Sequence, residues 1–313
     1  MTRIYVTRKL PVETSFEAIG EDVMPPSRDR LLELIAGADG VLCMLTEKID
    51  AAVMDAAPNL KVISNMAVGY DNIDIAAATA RGIPVGNTPG ILTETTADLA
   101  WALMMAAARR LPEGQRYVQA GKWQTWMPEL LLGRDLYGAT LGILGMGRIG
   151  AAVARRASGF NMRVIYHRGN AQSIDAEAVS FHELLKQSDF LSLHMPLTPQ
   201  THHMIGAAEL NMMKPTAILV NTARGGVVDP VALYAALRQG VIWGAALDVT
   251  EPEPIHVNDP LLTLDNCLIV PHLGSSSVDT RQRMARLAIE NLQAGLKGER
   301  LPHVVNPEVY ERS

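Results

Sequence analysis

The chain has 313 residues and a formal net charge of −5, with 48% hydrophobic and 19% charged residues. This composition excludes a disordered or fibrous protein, and the acidic balance argues against a nucleic-acid or anionic-membrane partner. The length favours two domains of about 150 residues each.

The opening MTRIYVTRKL carries charges where a signal peptide needs an apolar stretch. The longest apolar run, Leu99 to Ala108, is about half the roughly 20 residues that a membrane span requires, so a cytoplasmic chain is expected. From there, strand-length apolar runs alternate with helix-period stretches: IYV at 4–6, a helix near 28–37, GVLCML at 40–45, a helix near 50–57, KVISNMA at 61–67 and a helix near 74–81. This is the rhythm of βαβ units and a parallel sheet. The pattern predicts a long helix over Thr95–Arg110, stopped by Leu111-Pro112. From Thr140 the alternation begins afresh, with TLGILG, MRVIYH, FLSLHM, AILVNTA, WGAALDV and NCLIV as strands separated by helices, giving a second doubly wound sheet. A final amphipathic helix, Ser277 to Leu296, is expected to pack back on the first lobe. Cys43 and Cys267 each lie in an apolar run and read as buried small hydrophobes, not as a disulfide or metal ligands.

Gly145-Met-Gly147-Arg148-Ile149-Gly150 follows the strand TLGIL and opens a helix, the context in which G-x-G-x-x-G signifies dinucleotide binding. The first glycine makes the tight turn, the second admits a pyrophosphate and the third lets helix and strand pack closely, while N–H groups near Arg148 and Ile149 meet the phosphates. NAD-binding sheets usually carry an acid about 20 residues on. Here the second strand ends in His167-Arg168, with no carboxylate before Asp175. A guanidinium at that edge suits a ribose 2′-phosphate, so NADP(H) is expected to be preferred, with NAD(H) as the other possibility.

Ligands of open α/β sheets bind at the carboxyl ends of the strands. Three charged residues stand there, one after each of three successive apolar runs: Arg224 after AILVNTA, Glu253 in EPEP after GAALDV, and His272 after CLIVP. Together they supply a cation for an anionic substrate, an acid/base, and a carboxylate to orient the imidazole. His202 and His203 are adjacent, and on an extended segment they would face opposite ways, so no metal site is expected there.

The stretches AVGYDNID at 67–74, GNTPGILTETTADLAWALMMAAARR at 86–110, LGILGMGRIG at 141–150, NTARGGVVD at 221–229, LDVTEPEP at 247–254 and PHLGS at 271–275 span nearly the whole chain. They resemble the NAD(P)-dependent D-2-hydroxyacid dehydrogenases. The ETTADLAW helix and GKWQTWMP at 121–128 are most similar to the glyoxylate/hydroxypyruvate reductase and 2-ketogluconate reductase branch. Val68 and Arg168 depart from that branch, standing for a smaller polar residue and an acid.

The resemblance implies an α/β fold of two doubly wound parallel-sheet domains with an active-site cleft between them. The flavodoxin-like substrate domain is expected at 1–97 with 281–313, and the Rossmann cofactor domain at 98–280. It implies Arg224, Glu253 and His272 as catalytic residues, with His272 donating a proton to the substrate oxygen. The backbone of Ala67, Val68 and Gly69 becomes a cradle for the substrate carboxylate. Asp248 would face the nicotinamide amide, and His194, Pro196, Thr222, Ala223 and Gly274 would line the cofactor. The activity implied is reduction of glyoxylate, hydroxypyruvate or 2-ketogluconate to a D-2-hydroxy acid.

An NAD-linked D-lactate or D-3-phosphoglycerate dehydrogenase is an alternative, the latter weakened by the missing C-terminal regulatory extension. From another class, a co-repressor-like NAD(P)H sensor keeps similar residues. An amino-acid dehydrogenase would place a lysine near these strand ends, and none is there. A homodimer is expected, with Leu99 to about Pro128 in the interface and Trp126 of the partner subunit at the substrate. Three of the four tryptophans lie in that segment, and its helix is apolar around its circumference.

Overall fold

The computed structural model describes residues 2–20, 24–171 and 174–311. The chain divides into two compact units, Met1–Leu92 with Ser276–Ser313, and Thr93–Ser275.

The first unit contains β1 (Ile4–Val6), β2 (Ala18–Gly20), α1 (Arg28–Ile35), β3 (Gly40–Cys43), α2 (Ala51–Asp55), β4 (Val62–Asn65), α3 (Ile75–Ala80) and β5 (Val85–Gly86). Its strands are all parallel, in the order β2-β1-β3-β4-β5, which is the flavodoxin-like arrangement. Each helix is started by a side chain that accepts an otherwise orphaned N–H: Ser27 from Arg30, Asp50 from Val53 and Asp74 from Ala77.

The second unit contains α4 (Thr93–Ala108), α5 (Leu111–Gln119), β6 (Thr140–Met146), α6 (Arg148–Arg156), β7 (Arg163–Gly169), β8 (Glu177–Ala178), α7 (Phe181–Gln187), β9 (Phe190–Leu193), α8 (Ala207–Met212), β10 (Ile218–Asn221), α9 (Pro230–Gln239), β11 (Gly244–Leu247) and β12 (Cys267–Ile269). Its parallel sheet runs β12-β11-β10-β9-β6-β7-β8. The order reverses between β6 and β9, the switch point at which a Rossmann sheet takes its dinucleotide. The strands β9, β10 and β11 are buried along their whole length, as strands covered on both faces must be.

The chain then returns to the first unit as α10 (Val278–Leu296). Met284, Ala285, Ala288 and Leu292 of α10 join Ile4, Val6, Leu42 and Val62 in one core, and the Ser64 hydroxyl donates to Ala288 O at 2.7 Å.

The structure modifies several expectations. The division falls a few residues ahead of 97/98 and 280/281; at the first boundary α4 belongs whole to the second unit, packed on α6, β10 and β11. Leu111-Pro112 does not end the helical stretch. Arg110 takes a left-handed conformation (φ 52°) that breaks α4, and Pro112 then sits in the first turn of α5, where its missing N–H costs nothing. The short strands β2, β5 and β8 add to the expected set. Much of the apolar circumference of α4 is covered within its own unit, with Leu99 and Met105 half-buried: Trp101 is buried, stacks on Phe160 at 4.7 Å, and donates from Nε1 to Val153 O at 3.0 Å. The exposed apolar surface begins instead at Leu111 and includes Trp123, Trp126, Met127, Leu132 and Tyr137. Cys43 and Cys267 are unpaired; burial raises both thiols, that of Cys267 to about 12.

Candidate active site

The glycine turn has the form its spacing predicts. Gly145 has φ 101°, a conformation that side chains avoid, and an added Cβ would press on the His194 backbone. Gly147 caps α6 without any side-chain bond, with open space where a Cβ would stand. A Cβ on Gly150 would run into Gly145 O, so this glycine is what lets α6 pack on β6. The first N–H groups of α6 are thus left to an anion, with the positive end of the helix behind them.

The atoms around this turn fit a dinucleotide. Thr222 Oγ1 and His194 Nδ1 are buried and, among the described residues, find no hydrogen-bond partner, which buried polar atoms rarely tolerate without a ligand or water. Burial lowers His194 to about 3, so its ring is neutral in any working buffer. Its Nε2 lies 2.8 Å from Ser192 Oγ. Pro196 follows on the same loop, and its carbonyl accepts from Thr201 Oγ1 at 2.7 Å. At the far end of β7, His167 Nδ1 donates to Val179 O at 3.0 Å. Arg168 is exposed, in a left-handed conformation with φ 63°.

Arg224, Glu253 and His272 follow the neighbouring strands β10, β11 and β12. The turn bearing Arg224 is built by buried Asn221, whose Oδ1 accepts from Ala223 N at 3.0 Å and whose Nδ2 donates to Arg224 O at 2.9 Å. The Arg224 guanidinium donates to Ala223 O at 2.8 Å. A Cβ on Gly225 would collide with Thr250 O, so this glycine lets the turns after β10 and β11 meet.

His272 has φ 53°, which is strained for a non-glycine residue. The strain is held by its own N–H, which donates to Asp248 O at 2.9 Å and Val270 O at 3.1 Å. Buried Asp248 completes the clamp, its two oxygens accepting from Leu273 N at 2.5 Å and Gly274 N at 2.8 Å. Burial pushes the Asp248 carboxyl above its ordinary value despite those two bonds. Both oxygens of Asp248 therefore serve the loop that carries His272. The ring aimed by this clamp donates from Nδ1 to Glu253 Oε1 at 2.5 Å. A carboxylate can only accept, so the proton lies on Nδ1 and Nε2 is the atom offered outward.

In the first unit, the loop after β4 is wired by neutral amides. Asn87 Nδ2 donates to Val68 O at 2.9 Å, Thr88 N to Ala67 O at 2.9 Å, and Asn65 Nδ2 to Gly69 O at 2.9 Å. Asn72 braces the loop from below, donating to Met44 O and Glu47 O. With the carbonyls of Ala67, Val68 and Gly69 taken, the N–H groups of Val68 and Gly69 have no partner among the described residues. Two adjacent free N–H groups suit a carboxylate. The sequence singled out this loop but not the asparagines that shape it.

Three further residues complete the comparison with the sequence. Trp126 is 80% exposed and so does not pack within its own chain. His202 and His203 do share a face: the left-handed φ of 50° at His203 turns the two rings into a stack with centroids 3.9 Å apart. The opposite-face expectation assumed an extended segment, and this segment is a turn.

Comparison with known proteins agrees with this geometry. The profile of the D-isomer specific 2-hydroxyacid dehydrogenase NAD binding domain matches residues 101–274. A glyoxylate reductase of Korarchaeum cryptofilum is 53% identical over 322 residues, covering 99% of this chain and 97% of that protein. A crystal structure of a Thermus thermophilus protein matches at 48% identity with a TM-score of 0.93, covering 97% of this chain and 100% of that one. The NADPH-dependent glyoxylate/hydroxypyruvate reductase of Sinorhizobium meliloti, in complex with NADP and malonate, matches at 33% identity with a TM-score of 0.85, covering 97% and 96% of the two chains.

Proposed function

The chain belongs to the D-isomer specific 2-hydroxyacid dehydrogenase family of NAD(P)-dependent oxidoreductases, and from that premise we propose that it reduces a small 2-oxo acid, glyoxylate or hydroxypyruvate or 2-ketogluconate, to the D-2-hydroxy acid with NADPH preferred. The observation that carries the reading is the His272–Glu253 pair, 2.5 Å apart, on a strained loop held by Asp248.

When bound, the reduced nicotinamide supplies a hydride to the carbonyl carbon. His272, protonated at both nitrogens, gives its Nε2 proton to the carbonyl oxygen as negative charge grows there. Glu253 accepts from Nδ1 throughout, fixing the ring plane and balancing the charge of the imidazolium. Arg224 holds the substrate carboxylate and the carbonyl oxygen, stabilising the developing oxyanion. The N–H groups of Val68 and Gly69, with Ala67 ahead of them, cradle the carboxylate. Gly145, Gly147, Arg148, Ile149 and Gly150 would hold the pyrophosphate, and His194, Pro196, Thr222, Ala223, Asp248 and Gly274 would line the rest of the dinucleotide.

The exposed Arg168 beside His167, with no acid at that strand end, supports NADPH over NADH. The exposed aromatic surface of residues 111–137 supports a homodimer in which Trp126 of the partner subunit reaches the substrate. His272→Gln is the test of the mechanism: kcat is expected to fall by about 10²–10⁴-fold while the Kd for NADPH holds within a factor of about three. Retained turnover in that variant would remove His272 from the proton transfer.

A further inference from the structure

A second cluster of titratable side chains lies outside the residues assigned to the reaction. His203 Nε2 is 2.6 Å from Glu251 Oε2, and His202 Nε2 is 3.2 Å from Glu251 Oε1. The three ligand atoms, one from each residue, all lie within 4.8 Å of one another. We propose that His202 Nε2, His203 Nε2 and a Glu251 carboxylate oxygen bind one divalent first-row transition ion of the Zn2+ type, with solvent in the remaining position.

The backbone is arranged for this convergence rather than merely permitting it. The Thr198–Thr201 turn is tied by Thr201 Oγ1 donating to Pro196 O at 2.7 Å and accepting from Thr198 N at 2.8 Å. His203 then adopts its left-handed conformation, and its N–H donates to Gly226 O at 2.7 Å. Gly226 also keeps the space in front of Glu251 open, since a Cβ there would lie 3.2 Å from Oε1. A positive φ strains a histidine, and what the strain achieves is two nearly parallel rings presenting the same edge to one carboxylate.

The contacts are hydrogen bonds in the metal-free chain, and the three ligand atoms stand close enough together for one ion to replace them. Zn2+ sits about 2.0–2.1 Å from nitrogen and about 2.0–2.2 Å from oxygen, which sets tetrahedral ligand atoms roughly 3.3 Å apart. His202 Nε2 stands 3.2 Å from Oε1 and His203 Nε2 2.6 Å from Oε2, and with all three ligand atoms within 4.8 Å side-chain adjustments of about 1 Å bring them to that spacing. Two nitrogens and one oxygen select a borderline cation over Mg2+ or Ca2+, which demand oxygen shells. The side chains are 48%, 36% and 37% exposed, so an ion enters directly from solvent. On binding, the protons now on the Nε2 atoms move to Nδ1 or are released. The ion would join the turn after β9 to the segment after β11, two residues before Glu253. This proposal does not depend on the identity of the substrate or the cofactor.

Tag-free, chelator-treated protein titrated with Co2+ and with Zn2+ provides the test. One equivalent of Co2+ per chain is expected, with the visible absorption of a low-coordinate site, and Zn2+ is expected to displace it and raise Tm. His202→Ala, Glu251→Gln and His203→Asn should each weaken binding at least about tenfold; asparagine tolerates the left-handed backbone and keeps the fold, and His182→Ala serves as a control elsewhere on the surface. Absence of stoichiometric Co2+ binding to the wild type overturns the proposal, as does equal binding by wild type and the folded His203→Asn variant.

Discussion

The loop after β4 in the first unit and the turns after β10, β11 and β12 in the second both stand at the carboxyl ends of parallel strands, yet they are held by different chemistry. Asn65 and Asn87 fix the 67–69 loop with neutral amides on the carbonyls of Gly69 and Val68, Asn72 braces it, and the N–H groups of Val68 and Gly69 are left without a partner among the described residues. The second unit instead positions charge: Asp248 clamps a strained loop, Glu253 accepts from His272, and Arg224 stands on a turn made by Asn221. Backbone donors bind ground state and transition state about equally, whereas a titratable ring acts only where charge develops. Substitutions in the first region should therefore move KM, and those in the second kcat.

The largest effect that sharpens this contrast is Glu253→Gln, expected to lower kcat by about 10²-fold with KM for the 2-oxo acid little changed. Steady-state rates across pH would check it, and a change confined to KM would break the comparison. Next, Asn87→Ala frees the Val68 carbonyl and loosens the loop. A lost hydrogen bond to a part-buried carbonyl costs about 1–2 kcal/mol, so KM should rise about 5–30-fold with kcat within about twofold. Arg168→Asp is expected to raise the KM for NADPH about tenfold while leaving that for NADH nearly constant; parallel changes for both cofactors would show that Arg168 does not read the 2′-phosphate. Trp126→Ala should have the smallest effect, changing the ratio of glyoxylate to bulkier 2-oxo acids a fewfold. Sedimentation equilibrium of the same variant should show a weakened dimer, and a wild-type monomer at micromolar concentration would refute the interface.

Much of this arrangement is legible in the residues alone. The alternation of apolar runs reveals both parallel sheets, because strands buried on two faces must be continuously apolar. The glycine spacing locates the turn at 145–150, since only glycine meets its backbone and packing demands. Arg224, Glu253 and His272 stand out as charges in the segments that follow three apolar strands. What escapes is whatever depends on tertiary partners. β2, β5 and β8 are two or three residues long, too short to carry a period. Much of the cover over α4 comes from α6, β10 and β11, so its apolar circumference does not by itself locate a subunit interface. Pro112 reads equally as a stop or as a first-turn residue, and the left-handed Arg110 decides between them. The stacking of His202 and His203 follows from one dihedral that no spacing rule contains.

The central claim is that this chain turns over a small 2-oxo acid and is not only a nicotinamide binder. Initial rates of NADPH and NADH oxidation with glyoxylate, hydroxypyruvate, 2-ketogluconate, pyruvate and 3-phosphohydroxypyruvate measure it directly. The account predicts turnover with at least one of the first three, at a kcat/KM higher with NADPH than with NADH. Tight binding of NADPH with negligible turnover of every acid would contradict it and mark the chain as a sensor.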